Sequence, residues 1–227
     1  MATPLAIERL GRVGSTQDEA RLRHRGGPLL VTATSQYAAR GRSGAVWITA
    51  DRAVAASLAF EPDWPTDAMA RITLVAGLAV TDVLRLPIGL EWPNDIVVGD
   101  LKVGGILTES TDGLVVVGFG LNLFWESPPP GMGAVHASDP GDEYPHGVAL
   151  RWVEALLGRI AAGPTRWGRD EYLTFCTTVG RSIEWEPAGS GVAVDVNDDG
   201  ALLVDNGSGE IALYAGAVRG VSPQRRP

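Results

Sequence analysis

Apolar and polar positions fall into short blocks whose period changes several times along the chain. Residues 15–25 open with Ser15 and place Asp18 three positions later. That spacing resembles a capping box and predicts a helix running through Arg21. Leu29–Thr34 reads as a β-strand and runs into Arg40-Gly41-Arg42-Ser43-Gly44, which is too glycine-rich for regular structure. Trp47–Thr49 and Val54–Phe60 predict further strands, the second built from small residues that permit close packing. A helix is predicted from Thr66, because Ile72, Val75, Ala79 and Val83 share one face, and Pro87 stops it.

The next block is the most regular. Ile96–Val98, Gly99-Asp100 and Leu101–Val103 form a hairpin pattern with a two-residue turn, and Ile106-Leu107 continues its second strand. Another strand begins at Leu114 and ends near Asn122, followed by a Pro-, Gly- and Asp-rich loop over 125–146. Trp152, Leu156 and Ile160 lie at helical spacing within Ala149–Ala162, and Arg169–Phe175 predicts one more helix. From Val179 the texture changes to short β segments at Ser182–Trp185, Gly191–Val196, Ala201–Val204 and Glu210–Tyr214. The expected fold is α+β: a mixed β-sheet with helices over 1–178, then a small barrel or meander over 179–227.

Charge narrows the function classes. The chain of 227 residues carries 27 acids against 19 basic residues, a formal net charge of −8. That balance opposes a general nucleic-acid binder, which needs a basic surface to neutralise phosphates. The terminal module is more extreme, with seven acids and one base, Arg181, between 180 and 216. A local basic pocket for a small anion remains compatible with both counts. The lone Cys176 excludes an internal disulfide and a cysteine zinc cluster and suits a reducing compartment. The first residues lack a charged segment followed by an apolar run, and no apolar window approaches a membrane span, so a cytoplasmic protein is expected.

Two segments could carry chemistry. Arg40 and Arg42 in a glycine-rich loop can wrap a phosphate, and an exposed turn with solvated arginines is an equal reading. Asn94 and Asp95 follow Glu91-Trp92-Pro93 at the entry to a strand, where an amide and a carboxylate could hold Mg²⁺ or a nucleotide hydroxyl. The alternative makes Asp95 a turn residue. Lys102 sits on the returning strand of the hairpin, and Gly104 and Gly105 allow close approach to the backbone. Of the 19 basic residues 18 are arginine, so a merely solvated lysine would tend to have drifted to arginine. A compact ammonium fits a tight pocket where a guanidinium fork does not, which favours a functional Lys102. The three histidines, His24, His136 and His146, read as solvated loop residues.

Gly14-Ser15-Thr16-Gln17, Gln36 through Trp47, Trp92-Pro93-Asn94-Asp95, Lys102–Leu107 and Gly118-Phe119-Gly120-Leu121-Asn122 occur in the order seen in biotin protein ligases. The chain resembles a short, monofunctional member of that family over nearly its whole length. The first motif begins at Gly14, so the resemblance is to the type without an N-terminal DNA-binding helix-turn-helix. It implies a class II synthetase-like catalytic domain of the biotin/lipoate ligase kind and a C-terminal SH3-like module. It also implies a two-step reaction: biotin and ATP give biotinyl-5′-AMP, then a lysine of a biotin carboxyl carrier domain takes the biotin.

By family position, Ser15, Thr16, Gln36, Gly41, Gly104 and Gly105 are expected at biotin, and Lys102, Arg40 and Arg42 at the reacting carboxylate and phosphate. Asn94, Asp95, Trp47 and Asn122 are expected on the nucleotide side, with Asn94 and Asp95 near Mg²⁺. ATP, Mg²⁺ and biotin enter as substrates and activating ion, with no bound prosthetic group. The carrier is the expected partner, a homodimer is plausible by analogy, and neither DNA nor a membrane is expected. Three positions depart from the family pattern: Glu91 and Ala45 stand where it usually has basic residues, and Ala39 where it has Gly. An acid at 91 could pair with Arg40 or Arg42. These departures keep open an impaired or non-enzymatic biotin-binding relative, and a lipoate or octanoate ligase of the same superfamily is the third reading.

Overall fold

A computed structural model describes residues 3–214 and 218–220. The tail of the expected terminal module, 215–217 and 221–227, lies outside the described residues. Seven strands form the main sheet in the order β1-β2-β3-β7-β6-β5-β4. They are β1 (Ala6–Val13), β2 (Leu29–Gln36), β3 (Arg52–Phe60), β4 (Ile88–Glu91), β5 (Asp95–Val98), β6 (Leu101–Thr111) and β7 (Leu114–Phe124). β1 and β2 are parallel, and helix α1 (Thr16–Arg23) makes the crossover that parallel neighbours require. The remaining pairs are antiparallel.

Side-chain alternation divides the sheet into two faces. In β7, Val115, Val117, Phe119, Leu121 and Leu123 join the core beneath α2 (Arg71–Val83) and α3 (Tyr144–Ala161). Phe119 stacks on Trp152 at 4.9 Å, and the Trp152 indole donates to the Ala76 carbonyl. On the opposite face Val116 packs with Ala20 of α1, Leu29, Val31 and Ala59. The helical layer continues through α4 (Arg169–Phe175) into a second, antiparallel sheet ordered β11-β10-β9-β8-β12. Its strands are β8 (Ser182–Trp185), β9 (Gly189–Val196), β10 (Leu202–Asp205), β11 (Glu210–Leu213) and β12 (Val218–Gly220). No pairing joins β11 to β12 among the described residues, which therefore show a five-stranded sheet and not a closed barrel. Ile183, Ala193, Val196, Leu202 and Val204 belong to the same hydrophobic cluster as the main domain.

Several elements differ from the sequence reading. β1 was not anticipated, because its apolar Ile7, Leu10 and Val13 fall three apart instead of alternating. Trp47–Thr49 is not a strand. The chain there closes an irregular loop, with Trp47 N–H donating to Ala39 and an isolated bridge between Arg40 and Val46. The stretch from Thr66 opens with a single 3₁₀ turn before α2 begins at Arg71. β4, only four residues long behind Pro87, was also missed. α3 starts five residues before Ala149, because Pro145 occupies its first turn, where no N–H is needed. Asp18 does not close a capping box. Ser15 caps α1 by accepting from Gln17 N–H, and Asp18 instead binds Arg40. The histidines are not free loop residues: His146 lies in α3 within hydrogen-bond distance of Thr32, and His136 packs edge-on against Tyr144. Among the described residues, no helix is long and apolar enough to cross a membrane.

Candidate active site

A cavity of about 770 Å³ opens on the α1 side of the main sheet, within the size range of small-molecule sites. Its inner end is polar but uncharged. Thr16 donates to Gln36 Oε1 through both its backbone N–H (2.7 Å) and its hydroxyl (3.1 Å). Ser57 Oγ in turn donates to Thr16 Oγ1 at 2.8 Å. The chain runs one way, Ser57 to Thr16 to Gln36, and leaves the Gln36 amide nitrogen as the donor available to a ligand. Ser15, Thr16 and Ser57 are all buried, so a ligand seated here must match their remaining hydrogen-bonding capacity. Gln17 ties α1 to the sheet, donating to the Leu107 and Val116 carbonyls and to Glu109. Its Oε1 is buried beside Gly118 and has no protein partner.

The outer end is charged. Lys102 Nζ binds Asp95 Oδ2 at 2.6 Å and lies 5.7 Å from the centre of the Trp47 ring. The backbone beneath it is clamped by the loop after β7: Lys102 N–H donates to Gly131 and its carbonyl accepts from Gly133. Asn94 donates to Asp95 Oδ1 and accepts from Arg42 at 2.9 Å. The Trp47 ring lies on a shelf made by Gly105 and Gly120, which face each other across β6 and β7. A Cβ on Gly120 would stand 3.0 Å from that ring, so a larger residue would displace it.

Glu91 also faces this end, at the last position of β4 and opposite Asp95 in the β4–β5 register. Among the described residues its carboxylate has neither a hydrogen bond nor an ion pair. Burial pushes the Glu91 carboxyl above the usual range, and the charge of Asp95 adds to that; Arg181 and Lys102 oppose it. The Cys176 thiol is raised too, chiefly by burial, which makes it a poor nucleophile at neutral pH.

Ser15, Thr16, Gln36, Arg40, Gly41, Arg42, Trp47, Asn94, Asp95, Lys102 and Gly105 all line this one cavity. Two expected residues do not reach its wall. Gly104 points the other way along β6, where a Cβ would meet the Gly120 carbonyl at 2.8 Å, so its smallness serves strand packing. Asn122 is buried and donates to Gly133, which holds the loop that clamps Lys102. Arg40 lines the cavity, and its guanidinium is engaged by Asp18 at 2.7 and 2.9 Å. Glu91 pairs with neither arginine, since Arg42 reaches Asn94 instead.

The expected metal pair does not form an open donor set. Both Asp95 oxygens are engaged by Lys102 and Asn94, and the Asn94 oxygen by Arg42. No group of three carboxylate, histidine or cysteine ligands occurs among the described residues. Sequence reasoning missed three contributors. Ser57 could have been noticed as the one polar residue within Val54–Phe60, and Gln17 as the last residue of Gly14-Ser15-Thr16-Gln17, whereas Glu186, on the β8–β9 turn, gave no local signal.

Residues 10–122 match the model of the biotin/lipoate A/B protein ligase family. The chain is 31% identical to a biotin acetyl-CoA-carboxylase ligase of Mycobacterium tuberculosis, over 93% of this chain and 88% of the relative. A protein of the same description from Paracoccus denitrificans is 30% identical, over 92% of this chain and 98% of its own length. In fold, the chain is similar to the biotin protein ligase of Aquifex aeolicus solved with biotin and ATP. The TM-score is 0.76 at 19% identity, covering 95% of this chain and 99% of that one.

Proposed function

The chain belongs to the biotin/lipoate A/B protein ligase family, and we propose that it joins biotin to a carrier lysine through an adenylate. One observation carries this reading: a single cavity has a neutral, hydrogen-bonding inner end and a cation-bearing outer end. The inner end suits a ureido ring, which offers both a carbonyl and N–H groups. An unfunctionalised fatty acyl chain would leave the Gln36 amide nitrogen without an acceptor, at about 1–3 kcal/mol for a buried group left unpaired. That argues against the octanoate alternative.

At the outer end the biotin carboxylate attacks the α-phosphate of ATP, and pyrophosphate leaves. Two anions must meet, so the wall has to supply positive charge at the reacting oxygens. Lys102 would supply it. Its backbone is clamped and its ammonium is held by Asp95 beside Trp47, so it can turn to the phosphate without a large search. Arg42, held by Asn94, lies on the same wall, and Arg40 joins it only by leaving Asp18. Mg²⁺ enters as part of the nucleotide substrate, carried on its phosphates. In the second step a lysine amine of the carrier attacks the acyl carbon, forming the amide and releasing AMP. No protein nucleophile is required, in keeping with the buried thiol of Cys176.

The acceptor under this reading is the biotin carrier domain of a carboxylase. A cytoplasmic location and a homodimer go with it. Residues 1–178 would bind the substrates, and 179–227 would be an appended module that shares their core and brings Glu186 to the cavity. The test is biotin-dependent exchange of labelled pyrophosphate into ATP by the wild-type protein and by Lys102→Ala. Exchange that needs biotin and collapses in the variant is expected. Intact biotin binding with no wild-type exchange would leave a non-enzymatic biotin binder.

A further inference from the structure

Glu91 has no task in the chemistry described so far, and its charge is wrong for adenylation. A carboxylate facing the outer end repels ATP and the biotin carboxylate alike. Its carboxylate has no direct hydrogen bond or ion pair among the described residues; the charges of Arg181 and Lys102 act on it only from a distance, against that of Asp95. The neighbouring Asp95 has both oxygens committed, to Lys102 and to Asn94. Glu186 lines the cavity too, but it is exposed, and water screens its charge. Glu91 is half-buried, in a setting where a charge acts more strongly on its surroundings.

A cation does approach this end in the second half-reaction. The acceptor lysine comes from solvent with a positive ε-ammonium and must reach the acyl carbon beside Lys102, itself a cation that repels it. We propose that Glu91 is the docking point for the ε-ammonium of the acceptor lysine, which gives up its proton to solvent before the neutral amine attacks the acyl carbon and AMP leaves; the contact determines specificity and is made by the carrier and by neither biotin nor ATP. The inference rests on the ligase reading above. Glu91 lines the cavity, its carboxylate has no hydrogen bond or ion pair among the described residues, and its position opposite Asp95 keeps it close to Lys102.

The experiment supplies biotinyl-5′-adenylate directly, which bypasses adenylation. Transfer is then measured to two acceptors: the carrier domain of an acetyl-CoA carboxylase, and hydroxylamine, a neutral nucleophile at neutral pH. Charged hydrogen bonds contribute about 1.5–3 kcal/mol, so Glu91→Gln is expected to lower the carrier-to-hydroxylamine ratio by roughly 10- to 100-fold. The loss should appear in the KM for the carrier, and Glu91→Asp, which keeps the charge, should recover part of it. An unchanged ratio, or equal losses for both acceptors, would overturn the inference. Wild-type protein that accelerates transfer to neither acceptor would overturn the ligase reading itself, and this inference with it.

Discussion

The two ends of the cavity are built on different principles. At the inner end Ser57, Thr16 and Gln36 are neutral, largely enclosed and joined by a one-way chain of hydrogen bonds. At the outer end Lys102, Asp95, Asn94 and Arg42 are charged or strongly polar, partly open to solvent and satisfied by one another. The first arrangement is fixed before a ligand arrives and selects by matching donors to acceptors. The second can exchange partners when a triphosphate enters, because Lys102 and Arg42 are held there by the side chains of Asp95 and Asn94. Under the proposed function, recognition and chemistry are separated along one cavity.

The largest expected departure comes from breaking the outer end. Lys102→Met removes the charge while retaining length, and pyrophosphate exchange should fall by about 100- to 1,000-fold, as for loss of an oxyanion donor. Biotin affinity should change little. Breaking the inner end should do the reverse: Gln36→Leu removes the free amide donor and leaves Thr16 unpaired, weakening biotin binding by roughly 5- to 150-fold in calorimetry.

Smaller effects sharpen the contrast. Gly120→Ala places a methyl against Trp47 and should cost about 1–3 kcal/mol of stability, with a shift in tryptophan emission as the ring leaves its shelf. Ser57→Ala removes one link from the inner chain, and a loss of about 1 kcal/mol in biotin binding is expected. Glu91→Gln should raise the unfolding temperature at neutral pH. Burial raises the folded pKa of Glu91 above its unfolded value, so its ionised form costs stability above that raised value. The advantage of the variant should fade as pH falls and be absent below about pH 4, where glutamate is protonated in both states. A variant advantage that persisted there would show the gain is not electrostatic.

The same contrast explains what the sequence could reveal. Residues carried in compact motifs, such as Ser15-Thr16 or Asn94-Asp95 with Lys102, were found because local turns and one hairpin place them together. The strands at Val54–Phe60 and Leu114–Asn122 and the hairpin were legible as short local blocks. Partners fixed by long-range contacts were not. Arg40 finds Asp18 across two elements, Ser57 looks like one more core position in an apolar strand, and Glu186 arrives from the second sheet. Gly104 and Gly105 illustrate a narrower limit: adjacent glycines on one strand face opposite ways, and only the register shows which one borders the cavity.

The division between recognition and chemistry is tested most directly by measuring both quantities on both variants. Biotin affinity by calorimetry and biotin-dependent pyrophosphate exchange at saturating biotin would be compared for Gln36→Leu and Lys102→Met. A crossed result is predicted: Gln36→Leu loses affinity and keeps most of its saturated exchange, while Lys102→Met keeps affinity and loses exchange. Parallel losses in both quantities by both variants would contradict it.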